Sequence, residues 1–268
     1  MRALLPSSLI EVIDDVGPMV VAFSGGVDSS FLAVAALAVL GPDSVRAVTA
    51  VSPSLADDDL AYCQQLATKW GLDWSAIETG EMADGRYLAN DIDRCYWCKS
   101  HLMDGLVTVV GDATVVLGVN VDDLGDHRPG QQAARERGAR FPLVDAGLGK
   151  LEIRSLAKSI GLETWDRPAA PCLASRLPYG TPVTLERLTQ VERAERDLRR
   201  LGLVEVRVRH HGEVGLVEVP AAEVEHAATR RVEIADIVRN AGFRFVGLDL
   251  EGLQSGRLNR GLADRTDR

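Results

Sequence analysis

The stretch Met19–Leu32, MVVAFSGGVDSSFL, decides the fold of this chain. It opens on an apolar run, Met19–Phe23, which has the length and character of a short buried strand. The run breaks at Ser24-Gly25-Gly26, and apolar residues with helical spacing follow soon afterwards. A strand, a glycine turn and a helix start in succession direct several backbone N–H groups toward one point. The stretch therefore predicts an anion site.

The residues of this turn suit a phosphate that is held together with a metal ion. Gly25 and Gly26 can adopt positive φ and let a phosphate approach the backbone, while the serine hydroxyls offer spare donors. Asp28 would repel a phosphate unless a magnesium ion lay between them. The predicted nucleotide contacts in this turn are Ser24, Gly25, Gly26, Val27, Asp28, Ser29 and Ser30.

The motif SGGVDSS resembles the PP-loop of the N-type ATP pyrophosphatases, and Ser24–Ser30 is hereafter called the PP-loop. A Walker A motif needs Gly-Lys-Ser/Thr, whereas Leu151 follows Gly149-Lys150, and GxGxxG needs separated glycines. The resemblance implies an enzyme that splits ATP into AMP and pyrophosphate to activate a carboxylate, carbonyl or amide oxygen. The alternative is an ordinary Gly/Ser turn between a strand and a helix.

Composition limits the class of protein. The chain has 268 residues, 46% of them hydrophobic and 26% charged, which is ordinary for a globular protein with one large or two modest domains. A net charge of −9 argues against broad nucleic-acid binding, which depends on a basic surface. No apolar run reaches membrane-spanning length, and acids come too early for a secretory signal. We therefore expect a cytoplasmic protein without a membrane or nucleic-acid partner.

Apolar runs alternate with helical patterns through the first two thirds of the chain. This alternation predicts parallel βαβ units, and hence an α/β fold with a doubly wound parallel sheet. The predicted strands are 19–23, 45–51, 73–79 and 114–120, and the predicted helices are 29–40, 55–70, 95–110 and 148–161. Ligands bind beyond the carboxyl ends of such strands, which would gather the PP-loop with the segment 120–123.

The segment Gly118–Gly130, GVNVDDLGDHRPG, reads either as a solvated loop or as a second wall of the nucleotide site. In the second interpretation Asn120 lies beside ATP, and Asp122 or Asp123, with Asp123 preferred, binds magnesium. Arg128 would neutralise a phosphate or a carboxylate of the substrate. Lys150 and Arg154, one turn apart at a helix start, either face an anion or are ordinary solvated charges.

The segment Trp165–Gly180, WDRPAAPCLASRLPYG, contains too many prolines for a regular helix or strand. Cys172 is either a buried structural thiol or a nucleophile held rigidly beside Ser175 and Arg176. We favour the nucleophile, because a nearby guanidinium favours the thiolate.

From residue 184 the pattern changes to that of a smaller α+β domain. Helices are predicted over 184–201 and 221–241, and strands over 203–210, 213–219 and 243–250. We place a PP-loop domain at residues 1–170 and a C-terminal substrate domain, with a polar tail, at 171–268. Arg207 and Arg209 lie two apart on a strand, so both project from one face, which suits a phosphate or is an ordinary solvated face.

The cysteines suggest metal binding rather than disulfides. Cys95 and Cys98 form CYWC, and no second CxxC is present to complete a four-cysteine zinc site. Together with Cys172 they could hold three irons of a [4Fe–4S] cluster. Cys63 lies at an apolar helical position and is expected in the core.

Taken together, five motifs resemble the LarE family of ATP-dependent sulfur transferases, which act in nickel-pincer nucleotide biosynthesis. They are the PP-loop, RCYWCK, GVNVDDLGDHRPG, PCLASRLPYG and RVRHHG. The resemblance implies that ATP adenylylates a carboxylate of pyridinium-3,5-biscarboxylic acid mononucleotide, which the sulfur of Cys172 then attacks, with Arg176 assisting. It also implies that Arg207 and Arg209 bind the phosphate of this small-molecule substrate, and that the chain forms a homo-oligomer. We predict Ser175 as a further substrate contact.

Two variants of this chemistry exist in the family. In one the cysteine gives up its own sulfur and becomes dehydroalanine; in the other a [4Fe–4S] cluster carries the sulfide. The presence of Cys95, Cys98 and Cys172 favours the cluster variant. ATP, Mg²⁺ and this cluster are therefore the expected cofactors.

Three other functions compete with this interpretation. A tRNA thiolase with the same loop is disfavoured by the acidic composition. An amidotransferase-type synthetase, such as GMP or NAD synthetase, would need ammonia rather than a cysteine. A non-catalytic nucleotide-binding module would bind ATP without releasing pyrophosphate.

Overall fold

The structure, a computed structural model, describes residues 1–125 and 129–254. These residues form two compact units. The first consists of Met1–Tyr87 and Asp93–Ala170, and the second of Leu88–Ile92 and the described residues from Pro171 onward. The segment Leu88–Ile92, which the sequence places in the first domain, thus groups with the second unit.

The first unit contains a four-stranded, all-parallel sheet in the order β3-β2-β1-β4. Its strands are β1 (Met19–Ala22), β2 (Val45–Val51), β3 (Asp73–Glu78) and β4 (Thr114–Leu117). This sheet confirms the predicted α/β fold class with its doubly wound parallel sheet. β1, β2 and β4 form where the sequence is rich in Val, Ala and Leu, which is typical of strands covered on both faces, whereas the edge strand β3 is more polar and more exposed.

Helices cover both faces of this sheet. The helices up to residue 159 are α1 (Ser7–Val16), α2 (Val27–Leu40), α3 (Asp57–Trp70), α4 (Gly85–Leu88), α5 (Arg94–Val110), α6 (Pro129–Glu136), α7 (Pro142–Asp145) and α8 (Lys150–Ser159). Neighbouring residues of β1 point to opposite faces, so that Val21 joins a core with Phe31 of α2, whereas Val20 joins another with Leu106 of α5. No helix in the described ranges is long and apolar enough to cross a membrane.

The second unit contains a three-stranded sheet in the order β5-β6-β7. Its elements are α9 (Leu185–Arg200), β5 (Arg207–His211), β6 (Val214–Glu218), α10 (Val224–Thr229), α11 (Arg231–Asn240) and β7 (Phe245–Leu248). β5 and β6 pair antiparallel, and β6 and β7 pair parallel.

The region 221–241, predicted to be helical, is helical in the structure but is divided into α10 and α11 at Arg230. The chain leaves α10 at Arg230, whose N–H bonds the carbonyl of Ala227, and its guanidinium donates to the carbonyl of Leu201 at 2.7 Å. The break between α10 and α11 thus coincides with a contact of Arg230 to the distant residue Leu201, which the spacing of apolar residues did not indicate.

Candidate functional site

The PP-loop is held in shape by its own serines. Gly25 has φ +68°, a conformation that favours glycine. The N–H of Ser24 donates to Oγ of Ser29 at 3.2 Å, and the Ser29 hydroxyl donates to the carbonyl of Gly26 at 3.2 Å. The hydroxyls of Ser24 and Ser29 also lie 3.1 Å apart. These two serines, predicted as spare donors, therefore stabilise the turn.

The backbone of the PP-loop keeps its donors available. The N–H groups of Gly26, Val27 and Asp28 make no hydrogen bond to any residue that the structure describes. The Val27 side chain belongs to the core, so only its backbone can face a ligand. The Ser30 hydroxyl is buried and has no hydrogen-bond partner in the described part of the chain. Several convergent, unpaired donors at a helix start are suited to an anion.

Two carboxylates lie around Asn120, next to the PP-loop. The Asn120 side-chain amide donates to Oδ1 of Asp28 at 3.3 Å, and its backbone N–H donates to Oδ2 of Asp123 at 3.2 Å. Lys150, at the start of α8, forms a close ion pair with Asp28. The structure thus brings Asp28, Asn120 and Asp123 together and adds Lys150 to them.

The carboxylate of Asp122 has a different hydrogen-bond partner from that of Asp123. Its Oδ2 accepts from the backbone N–H of Lys150 at 2.6 Å, so it satisfies a donor at the start of α8. The backbone N–H of Asp122 also donates to Oδ1 of Asn120 at 3.0 Å, so both aspartates contact Asn120, and the preference for Asp123 as the magnesium ligand stays a prediction. Arg128, predicted to bind substrate, lies outside the described residues.

Arg154 faces carbonyl groups. Its Nη1 donates to the carbonyl of Trp165 at 2.7 Å, and its Nη2 donates to the carbonyl of Arg167 at 3.1 Å. Of the two cations that begin α8, only Lys150 pairs with a residue of the PP-loop.

The cysteines of the first unit lie in two different settings. Cys63 is fully buried in the core, as predicted. Burial is the main cause that raises the pKa of its thiol. Cys95 is exposed and Cys98 is half-buried, both in the first turns of α5, where residues three apart share one helix face.

The expected [4Fe–4S] cluster has no support in the structure. Among the residues described, no group of three or more His, Cys, Asp or Glu side chains is arranged to hold a metal ion. No reaction step is therefore derived through such a cluster.

Cys172 lies on an exposed loop of the second unit, immediately before a 3₁₀ turn formed by Leu173–Arg176. Nη1 of Arg176 donates to the carbonyls of Pro171 and Cys172, at 2.5 and 3.2 Å, and to Oγ of Ser175 at 3.0 Å. The exposed thiol excludes the alternative of a buried structural cysteine.

Arg176 itself is buried and ion-paired. Its side chain is 5% exposed, and its Nε and Nη2 form a two-point ion pair with Glu195, which is fully buried. The guanidinium binds backbone around Cys172, and its charge is balanced by a carboxylate. In this geometry the guanidinium orders the loop that carries Cys172, and the catalytic role of Arg176 stays a prediction.

The two arginines of β5 also differ from each other. Arg209 is buried, pairs with Glu218 at 3.0 Å and donates to the carbonyl of Ser175 at 2.7 Å. Arg207 is half-buried, and its side chain has no hydrogen-bond or ion-pair partner among the described residues. Burial, followed by the nearby charges of Arg176 and Arg209, lowers the pKa of Arg207. A cation in this setting would be stabilised by an anion.

Sequence reasoning missed the acids of this site. Glu195 accepts from Arg176, from Arg199 at 2.8 Å and from the N–H of Val208 at 3.0 Å, and Glu218 pairs with Arg209. Their positions in a charged helix and an alternating strand looked like solvated positions. The cross-strand register of β5 and β6, which sets Glu218 opposite Arg207, is the signal that could have indicated one of them.

Comparison with known proteins extends these observations. The NAD synthase family model matches residues 12–87, which contain the PP-loop. A protein of Lactiplantibacillus plantarum named pyridinium-3,5-bisthiocarboxylic acid mononucleotide synthase is 35% identical over 94% of this chain and 93% of its own length.

Two uncharacterised proteins are also similar over most of their length. One, from Synechocystis sp., is 47% identical over 90% of this chain and 91% of its own length. The other, from Methanocaldococcus jannaschii, is 25% identical over 87% of this chain and 89% of its own length. Since the Lactiplantibacillus protein is a LarE protein and is matched over nearly its whole length, this chain belongs to the LarE family of ATP-using PP-loop enzymes.

Proposed function

We propose that this chain adenylylates a carboxylate of pyridinium-3,5-biscarboxylic acid mononucleotide with ATP and converts it to a thiocarboxylate through Cys172. The name of the Lactiplantibacillus relative and membership of the LarE family support this substrate. The observation that carries the proposal is the PP-loop, whose unpaired N–H groups suit the leaving pyrophosphate.

The first half of the reaction is assigned to the first unit. A carboxylate oxygen attacks the α-phosphorus of ATP, and pyrophosphate leaves. Asp28 and Asp123 fit a Mg²⁺ ion, which is commonly held by one or two carboxylates together with substrate phosphates. Such an ion would neutralise charge on the departing pyrophosphate. Lys150 can exchange its contact with Asp28 for a phosphate oxygen, because its side chain is 39% exposed.

The second half is assigned to Cys172. Its thiolate attacks the acyl carbon of the adenylate and expels AMP, which is a far better leaving group than the oxide of a free carboxylate. Loss of the Cα hydrogen as a proton then lets the Cβ–S bond break, which leaves dehydroalanine in the chain and a thiocarboxylate on the product. Arg176 binds the carbonyls of Pro171 and Cys172, which lie in the peptides before and after the Cα atom of Cys172, and so orients the thiol.

Arg207 is proposed to bind the phosphate of the substrate. Its guanidinium is half-buried and is repelled by the nearby positive charges of Arg176 and Arg209. A bound phosphate would offset this repulsion. Arg209, which donates to the backbone carbonyl of Ser175, and the hydroxyl of Ser175 are proposed as further substrate contacts.

The experiment is intact-mass analysis before and after incubation with ATP, magnesium and the dicarboxylated pyridinium mononucleotide. We expect pyrophosphate release and a chain that loses one sulfur and two hydrogens. Cys172→Ser should lose sulfur transfer but keep ATP binding, whereas the double variant Cys95→Ser/Cys98→Ser should still complete one turnover.

The opposite results would change the assignment. Repeated turnover without loss of mass, if Cys95→Ser/Cys98→Ser abolished it, would identify an iron–sulfur cluster as the source of the sulfur. Full activity of Cys172→Ala with ammonia would favour the amidotransferase-type synthetase, to which the match at residues 12–87 also points.

A further inference from the structure

Arg167 contacts the PP-loop from the side of α3. Its Nη1 donates to the carbonyl of Gly25 at 3.0 Å, and its Nη2 donates to Oδ1 of Asp59 at 2.7 Å. The guanidinium carbon lies 3.8 Å from the centroid of the Tyr62 ring. One side chain therefore joins the PP-loop to two residues of α3.

We propose that Arg167 is a positioning residue for ATP binding, which orients the peptide between Gly25 and Gly26. In a trans peptide the carbonyl and the following N–H point in opposite directions. A guanidinium that holds the Gly25 carbonyl on one side directs the Gly26 N–H to the other side. That N–H is one of the unpaired donors of the PP-loop.

Arg167 does not act as a phosphate ligand itself. Its charge is paired with Asp59, and the two side chains are only 22% and 24% exposed. Its three contacts lie in different directions, which suits a planar guanidinium with several donors and a stacking face, and which a lysine ammonium cannot reproduce.

The surroundings leave the Gly25 peptide little freedom. A Cβ atom placed on Gly25 would lie 2.9 Å from Sγ of Cys63 and 3.3 Å from Nη1 of Arg167. The backbone that carries Arg167 is itself fixed, because Arg154 donates to the carbonyls of Trp165 and Arg167. The orientation of this peptide is therefore set before any nucleotide binds, which lowers the cost of binding.

The test compares the affinity for a nucleotide with and without the leaving phosphates. Binding of α,β-methylene-ATP with magnesium and binding of AMP are measured by calorimetry for the full chain and for Arg167→Met. We expect affinity for the ATP analogue to fall by about tenfold or more and affinity for AMP to change by less than about twofold. Arg167→Lys should lie between the wild type and Arg167→Met.

The matched control is Arg46→Met. Arg46 also joins a carboxylate to a carbonyl, with Nε on Asp73 at 3.2 Å and Nη1 on Val109 at 3.1 Å, but it lies at the start of β2, away from the PP-loop. Its loss should leave both affinities unchanged. If Arg167→Met does not fold, as judged by its thermal melt, Asp59→Asn serves in its place, with a selective but smaller loss for the ATP analogue.

The inference rests on the proposed use of ATP, and the two can fail separately. A wild-type chain that binds the analogue while Arg167→Met and Asp59→Asn bind it equally well would overturn the role of Arg167 alone. Equal losses for the analogue and AMP would also overturn it, since they indicate a general structural effect. A wild-type chain without affinity for the analogue would remove the proposed function together with this inference.

Discussion

At the scale of single residues, Gly118 lies very close to the backbone of the PP-loop at Asp28 and Ser29. A Cβ atom at this position would lie 2.6 Å from the backbone nitrogen of Ser29 and 2.8 Å from the backbone carbon of Asp28. Backbone atoms at the start of a helix cannot move aside as a flexible side chain can. Gly118, which follows β4, is therefore required because two backbone segments approach each other there.

Gly118→Ala should weaken ATP binding and destabilise the chain by about 1–3 kcal/mol, because the added methyl group must displace the start of α2. The measurements are chemical denaturation and calorimetric titration with α,β-methylene-ATP. Gly85→Ala is the control, since a Cβ there meets no atom within 4 Å. Equal behaviour of the two variants would contradict this explanation of Gly118.

Residue-scale prediction from the sequence worked where the fold class alone brings residues together. Asp28, Asn120 and Asp123 meet because the carboxyl ends of neighbouring parallel strands meet at one edge of the sheet. The ion pair of Arg176 was not predicted, because its partner, Glu195, is distant in sequence and its burial cannot be inferred from a local pattern. Lys150 was left undecided for the same reason, since its partner is Asp28.

At the scale of elements, a single carboxylate joins three parts of the second unit. Glu195 of α9 accepts from Arg176 in the loop of Cys172 and from the backbone N–H of Val208 in β5. It also accepts from Arg199, one turn further along α9. Because Glu195 is fully buried, these donors offset the cost of keeping a carboxylate away from water.

Glu195→Gln should cost about 3–5 kcal/mol of unfolding free energy, because it leaves the buried guanidinium of Arg176 without its counter-charge. The thiol of Cys172 should then react with a thiol reagent at a different rate, since the surrounding carbonyls lose their fixed donor. Asp197→Asn, on the same helix but with only surface partners, should change stability by less than about 0.5 kcal/mol. A stable Glu195→Gln variant with unchanged thiol reactivity would contradict this role.

The elements themselves were predictable to different degrees. The apolar run 45–51 became β2 with the same ends, because a strand covered on both faces is specified by its own residues. The pattern over 221–241 indicated one helix, and the structure has two, since the break coincides with contacts of Arg230 that no local pattern contains.

At the scale of the whole chain, the order of residues does not follow the division into two units. Leu88–Ile92 lies between segments of the first unit but belongs to the second. Asn90, with φ +55°, is fully buried, and its side-chain amide donates to the carbonyls of Pro178 at 2.9 Å and Thr181 at 2.7 Å. The N–H of Gly180 donates to the carbonyl of Asn90 in return. A boundary drawn from sequence, where composition changes, cannot include such a short inserted segment.

Asn90→Ala should therefore destabilise the second unit, although residue 90 lies in the first half of the sequence. The variant leaves the carbonyls of Pro178 and Thr181 without this donor, at a cost of about 1–3 kcal/mol, and it places alanine at a positive φ. Hydrogen exchange followed by mass spectrometry should show faster exchange at Gly180 and Val183, whose N–H groups bond the carbonyls of residues 90 and 88. The strands β1 and β2 should keep their protection.

Asn90→Gly separates the two causes, since glycine accepts the positive φ but still lacks the amide, and exposed Asn240→Ala is the control. Faster exchange that is confined to the first unit would contradict the assignment of Leu88–Ile92 to the second.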